Sequence, residues 1–517
     1  MKTAPIPIPT SILAAIAFIA PITPTALSSA QDSWPAWRGS SLTGVVEDSQ
    51  PPIEWSEDEN VKWKVEIPGS GLATPVIWKN QIFIVTAVPK GEPSANASVQ
   101  ANNNRGPGGG RPPGSPGQRG PGGGFNREEV LKEFDKDGDG QLNEEERSAM
   151  RASFGERRRG QGGPRGRTGG RPGRGGPGGG GRGPQQEHDF NVMAIDRNSG
   201  EVIWTQTAKT MTPHEGHHPT HGFASASPVT DGERLWVSFG SRGIYCYTID
   251  GEKVWETDLG NIRSRAGFGE AVQPVLAGNN LLLTWDQEDQ SYLIALDKRT
   301  GKEVWRKDRD EPTSWTTPAI VEVDGIQQAI IPGANKTRAY NAENGDLIWE
   351  ASGLTKNIIP TPVVGHGMVY VASGYQGRSV QAIKLDSKGD VSGTDNIVWS
   401  VAHSAPYVAS PVLSGNRLYM NKGNDAYFTC FDALTGEVIY QDESLEGIRG
   451  IYASPIIANG HIYVAGKEGA TVVIKDSDTF EIVSVNTLDD PIDASPVVVG
   501  DQLIIRSHNY LYCISES

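Results

Sequence analysis

Cysteine is nearly absent from this chain: three in 517 residues, with no two adjacent. A stapled disulfide scaffold is therefore excluded, and so is a site that needs a vicinal Cys–Cys bridge. No apolar run reaches the length needed to cross a bilayer; the longest, Ile12 to Ala20, is too short. Surplus positive charge is also missing. The formal net charge is −15, and residues 101–188 hold 16 Lys plus Arg against 11 Asp plus Glu, so the remainder carries −20. Such a body is a poor partner for nucleic acid. Helix-like 3.6-residue periodicity is scarce outside one short island, which argues for a chain made mainly of strands.

What is present is a repeat. A short residue followed by proline recurs eight times, at Thr74-Pro75, Ser227-Pro228, Gln273-Pro274, Thr317-Pro318, Thr361-Pro362, Ser410-Pro411, Ser454-Pro455 and Ser495-Pro496. From the second copy the spacing is about 45 residues, the period of a β-propeller blade. Each proline is followed by two apolar runs around a Gly or Asn turn, as in Val412 to Tyr419, which predicts a hairpin. A third and fourth strand follow in the form A-x-D-x-x-x-G-x-x-x-W. It is complete at Ala194, Asp196, Gly200, Trp204 and at Ala295, Asp297, Gly301, Trp305. It recurs with Asn341 for the Asp between Ala339 and Trp349, and with Cys430 and Tyr440 at its ends in the sixth copy. The seventh copy has decayed, with Phe480 at the Gly position and Ser484 at the Trp position. These residues read as structural: Gly for a turn of positive φ, Asp to bond its own turn, Trp to stack between blades.

The eighth copy ends without a fourth strand. Val61 to Glu66 alternates like a strand, carries Trp63 and precedes the first copy. It is expected to complete the eighth blade and close the ring, which removes the exposed edges of the sheet. The expected fold is thus all-β, an eight-bladed propeller closed by an N-terminal strand. Cys246, Cys430 and Cys513 occupy equivalent repeat positions in blades that do not touch, which predicts three free buried thiols.

The repeat resembles the pyrroloquinoline quinone (PQQ) repeat family, over roughly residues 34–88 and 189–517. That family includes quinoprotein alcohol dehydrogenases and the propeller lipoprotein of the bacterial outer-membrane assembly machine. The resemblance implies the fold, and either a binding scaffold or a PQQ-dependent oxidoreductase. In the dehydrogenases a Cys–Cys disulfide covers the quinone, a Trp forms its floor, and carboxylates hold Ca²⁺ beside a catalytic Asp. Trp285-Asp286 and Trp315 fall in loops where such a site could be built, but the Cys pair is lacking and the ligand set does not match. PQQ is therefore not expected, no catalytic residue is assigned, and a non-catalytic scaffold is preferred.

Residues 1–30 read as an export signal: Lys2 is the sole charge, an apolar stretch follows, and Ser28-Ser29-Ala30 is a small-residue cleavage site. This predicts an exported protein of a bacterial periplasm or cell envelope, with no transmembrane anchor once the signal is removed. Residues 31–88 hold the closing strand and the start of blade one, and 189–517 the rest of the propeller. Between them, 89–188 differ in composition. Gly/Pro/Arg-rich tracts at about 101–124 and 157–186 cannot bury enough apolar surface to fold. An ordered island at 125–154 carries Asp135-Lys136-Asp137-Gly138-Asp139-Gly140-Gln141-Leu142-Asn143-Glu144-Glu145-Glu146, an EF-hand calcium loop. Asp135, Asp137 and Asp139 supply oxygens at positions 1, 3 and 5, Gln141 its carbonyl at 7, Asn143 acts at 9, and Glu146 is bidentate at 12. Ca²⁺ is thus the expected metal.

His214-Glu215-Gly216-His217-His218 has zinc-protease spacing, but Pro213, Gly216 and Pro219 forbid the helix that chemistry needs. His214, His217, His218 and His221 remain a candidate transition-metal cluster. Loops flanking the prolines are expected around the channel mouth. They carry Arg263, Arg265, Glu270, Asp286, Trp315, Asn335, Lys336, Lys356, Asn357, Tyr375, Tyr407, Lys422, Asn424, Arg449, Tyr452, Lys467, Asp493 and Arg506. Mixed charge with aromatics suits a small-molecule ligand or an envelope-associated protein at the propeller face.

Overall fold

A computed structural model describes residues 32–91 and 186–516. The export signal and the EF-hand loop, with Asp135, Asp137, Asp139, Gln141, Asn143 and Glu146, lie outside the described residues. Among the described residues the chain forms eight sheets, one per repeat and each built on four antiparallel strands, and strand is almost the sole regular structure. Blade one comprises Val76–Trp78, Gln81–Pro89, His188–Asp196 and Val202–Met211. Pro89 pairs with His188, so the chain leaves and rejoins the blade at facing positions of one ladder. Blade eight comprises Val497–Val499, Gln502–Arg506, Tyr510–Ile514 and the expected closing strand Val61–Glu66, whose Trp63 pairs with Cys513.

Burial follows position within the blade. Second and third strands lie between neighbouring sheets and are buried on both faces, as in Asn280–Trp285. Fourth strands form the outer edge and alternate, as in Glu303–Arg309. The core is accordingly a series of interblade clusters; Phe83, Val85, Phe190 and Val192 of blade one meet Leu235, Val237 and Tyr247 of blade two. Each such side chain contributes about 1.5–3 kcal/mol on burial.

The Gly and Trp of the repeat turn out to be a single device. A Cβ on Gly200 would lie 2.9 Å from the Trp63 ring, and one on Gly301 would lie 2.5 Å from Trp255. Each glycine thus makes room for the Trp of the preceding blade, as well as holding a positive φ. The indole N–H then donates into that same turn, Trp63 Nε1 to Arg197 O at 2.9 Å and Trp204 Nε1 to Ile249 O at 3.0 Å. The Asp caps its own turn, Asp297 accepting from the amides of Arg299 and Thr300. The decayed copy is compensated in kind. Tyr440 replaces the Trp of blade six and meets Phe480 edge-on at 5.6 Å, where a glycine would otherwise stand. Beside Ser484, where blade seven lacks its Trp, the N-terminal Trp55 stacks on Tyr463 at 6.3 Å and its amide donates to Asn486 Oδ1.

The N-terminal segment also does something the repeat does not announce. Ser33–Trp34 pairs with the first strand of blade one, and Val45–Val46 runs parallel to the first strand of blade seven. Between them, Pro35 O accepts from Thr230 of blade two and Arg38 Nη2 donates to Pro411 O of blade six. Residues 33–46 therefore form a strap across one end of the central channel. Cys246, Cys430 and Cys513 are free and buried, on third strands of blades two, six and eight. Burial pushes each thiol up to about 12.

Candidate ligand cup in the central channel

The residue before each repeated proline stands two positions ahead of the innermost strand, and these residues meet at the channel. Six of them are linked by five backbone-to-hydroxyl bonds from blade to blade. The amide of Thr317 donates to Thr361 Oγ1 (3.4 Å), Thr361 to Ser410 Oγ (2.9 Å), Ser410 to Ser454 Oγ (2.9 Å), Ser454 to Ser495 Oγ (2.9 Å) and Ser495 to Thr74 Oγ1 (3.2 Å). The short side chain before proline is thus a circumferential clasp. It stops at Ser227 and Gln273, where no such bond joins the described residues.

Above this ring lies a cavity of about 510 Å³, within the range of small-molecule sites. Its walls carry Phe268, Trp315, Tyr375, Tyr407 and Tyr452, one from each of five loops. Trp37 of the strap lines both this cavity and a smaller one of about 180 Å³ on the far side, so it forms the floor of the first. Tyr375 and Tyr407 stack at 5.2 Å, and Trp315 Nε1 donates to Gly269 O at 2.9 Å. The aromatic walls are therefore braced.

Besides its tyrosines, the cup is lined by two histidines and one carboxylate, His218, His221 and Asp493. Asp493, with 4% of its side chain exposed, holds Lys467 at 3.1 Å and His508 at 2.9 Å. Lys467 lies 3.6 Å over the Tyr452 ring. Burial pushes His221 down to about 4, helped by the positive fields of His217 and Arg242, and its Nε2 donates to Glu270 O at 3.1 Å. Burial likewise lowers His217 and His218.

The four histidines of the loop do not converge. His214 donates to Ile262 O (2.8 Å) and His217 to His218 O (2.8 Å), while His218 Nδ1 accepts from the Thr220 amide (3.3 Å). Among the described residues no three His, Cys, Asp or Glu side chains are placed to share a metal. The loop is free of helix, as its prolines require. It reaches across blade one, so that Thr220 Oγ1 donates to Tyr452 OH of the blade-seven loop at 3.3 Å.

Of the eighteen expected mouth residues, Trp315, Tyr375, Tyr407, Tyr452 and Asp493 line the cup. Three others are corrected to structural roles. Glu270 is buried against Arg242 (2.9 Å) and accepts from the Ser241 amide. Asp286 is sealed with Arg309 at 2.8 Å, both side chains 0% exposed, and Trp285 lies in an interblade core. Arg506 is buried and donates to Ala73 O and Val85 O. Arg263 pairs with Asp289 in solvent, and Lys336 with Glu350 and Asp390. Trp37 and the hydroxyl clasp were missed. The clasp was visible as Ser/Thr-Pro, but its partner lies one full repeat away.

These features define a closed eight-bladed propeller with an aromatic cup above a hydroxyl ring. Residues 188–442 match the family model of the outer membrane protein assembly factor BamB. The chain is a PQQ-repeat propeller similar to BamB. It is 23% identical to BamB of Yersinia pestis over 332 residues, covering 62% of this chain and 78% of that protein. It is 23% identical to tetrathionate hydrolase of Acidithiobacillus ferrooxidans over 303 residues, 53% of this chain and 54% of that one. It is 26% identical to polyvinylalcohol dehydrogenase of a Sphingopyxis species over 253 residues, 39% of this chain and 38% of the enzyme. The solved structure of BamB from Moraxella catarrhalis superposes with a TM-score of 0.44 at 15% identity, covering 63% of this chain and 88% of that one. No helix among the described residues is long and apolar enough to cross a membrane.

Proposed function

We propose that this protein is an exported binding scaffold of the bacterial cell envelope, whose ligand or protein partner engages the aromatic cup, and that its EF-hand loop binds calcium. The observation that carries the reading is the cup itself: aromatic walls braced by stacking and hydrogen bonds, with its one lining carboxylate already neutralised. BamB, an outer membrane protein assembly factor by name, supports the envelope setting and a protein partner. A photo-crosslinking residue at Tyr375 or His218, compared with one at Val304 on the outer edge, tests it in cells. Adducts from the mouth positions support the reading, and adducts from the edge alone refute it.

A quinoprotein oxidoreductase is the second reading, favoured by the likeness to polyvinylalcohol dehydrogenase. The lining fits it poorly. PQQ carries three carboxylates and in such enzymes sits beside Ca²⁺, a hard cation that needs six to eight oxygen ligands. Here the lining offers one carboxylate, held by Lys467 and His508, and no Lys or Arg. Adding PQQ and Ca²⁺ and measuring dye-linked alcohol oxidation decides between the two.

A further inference from the structure

We propose that the cup takes an uncharged saccharide ring; this rests on reading the cup as the ligand site. Its floor holds hydroxyl protons that have nothing to bond. Thr361, Ser410, Ser454, Ser495 and Thr74 each accept a backbone amide at Oγ, which fills one of that oxygen's two acceptor positions. Their O–H protons have no protein acceptor among the described residues, and all five side chains are buried. Buried donors left unpaired are costly, so the floor calls for a ligand rich in acceptors or for water standing in for one.

The walls select among such ligands. A saccharide ring has an apolar C–H face and an edge of hydroxyls that both accept and donate. The first suits the faces of Trp315, Tyr375 and Tyr407; the second suits the ring beneath. An anion would also accept the O–H protons, but the lining offers it no Lys or Arg, and the chain carries −20 outside residues 101–188. A cation would meet no unpaired carboxylate. An extended peptide would need a free strand edge, yet the amides of the ring are engaged by neighbouring hydroxyls, and the residues that follow them are prolines without N–H. Buried Asn357 stands against the Tyr407 hydroxyl, its carboxamide making no hydrogen bond of ordinary length, and offers a further amide close to the site.

The test titrates the full chain with maltose, cellobiose and N,N′-diacetylchitobiose, reading tryptophan emission from Trp37 and Trp315 together with calorimetry. Indole serves as a non-saccharide probe of the same walls. At least one disaccharide is expected to bind, with Trp315→Ala and Tyr375→Ala each weakening it about tenfold or more, equivalent to 1.4 kcal/mol. Ser454→Ala is expected to weaken the sugar and leave indole unchanged, and the melting temperature of each variant shows whether it is folded. If indole binds in a Trp315-dependent way and none of the sugars does, the saccharide assignment is overturned while the cup stands as a ligand site. If neither binds, both fall.

Discussion

Replacing Gly301 by alanine tests whether the interblade fit of Trp and Gly holds the ring together. The position has φ +70, and an added Cβ would lie 2.5 Å from Trp255 Cε3 and 2.7 Å from Thr257 Oγ1. Two costs follow. A non-glycine residue in the left-handed region costs about 1–2 kcal/mol, and forcing a methyl into a filled interface costs about 1–3 kcal/mol more. Gly325 separates them, because its φ is +78 and nothing lies within 4 Å of the added Cβ. Gly325→Ala should therefore cost only the first amount, and Gly301→Ala the sum, about 2–5 kcal/mol. Urea unfolding followed by circular dichroism measures both. The steric part should vanish when the indole is removed, so Gly301→Ala combined with Trp255→Leu should destabilise by about 1–3 kcal/mol less than the two single changes added. Equal costs at Gly301 and Gly325, or strictly additive changes at 301 and 255, would refute the reasoning.

Four further outcomes are expected. Glu270→Ala strands Arg242 inside the protein and should cost about 3–5 kcal/mol in urea unfolding, the usual penalty for breaking a buried pair. His221 binds a proton near pH 4 when folded against 6.5 in the open chain, so the unfolded state holds more protons between those values. Stability should fall as pH drops from 6.5 toward 4, and His221→Gln should flatten that slope in melting curves. The thiols of Cys246, Cys430 and Cys513, buried and pushed up to about 12, should resist Ellman's reagent at neutral pH, and all three should react in denaturant. Glu146→Gln should weaken calcium binding by about tenfold or more in calorimetry while leaving the main melting transition unchanged.

The blades were legible because their signals are local and repeated. The turn Asp, the Gly and the Trp recur at fixed offsets, and Val61 to Glu66 could be matched to blade eight since it alternates and carries a Trp. The strap was not legible, because its two-residue strands at Ser33–Trp34 and Val45–Val46 have no period and draw on partners in blades one, two, six and seven. Charge near the mouth misled for a different reason. Glu270 and Asp286 sit in loops, where a solvated rim is the ordinary outcome, but each meets a buried arginine contributed by another segment of the chain. The five aromatic and acidic residues that do line the cup were found because aromatics in a channel-facing loop have few other uses.

The strap and closing strand have a consequence for the order of events during synthesis. Residues 33–66 are made early, yet their partners come late. Arg38 waits for Pro411, 373 residues on; Trp55 waits for Asn486, 431 on; and Glu57 waits for Tyr512, 455 on. A chain emerging N-terminus first can zip blades one to six in turn, but it must carry Trp34, Trp55 and Trp63 without their full packing until the strands of blades seven and eight arrive. Loop closure over such distances is slow. The interval in which those three indoles lack their partners is therefore set by the time taken to deliver blades seven and eight, and any factor that shields nascent chains would find its target in residues 33–66.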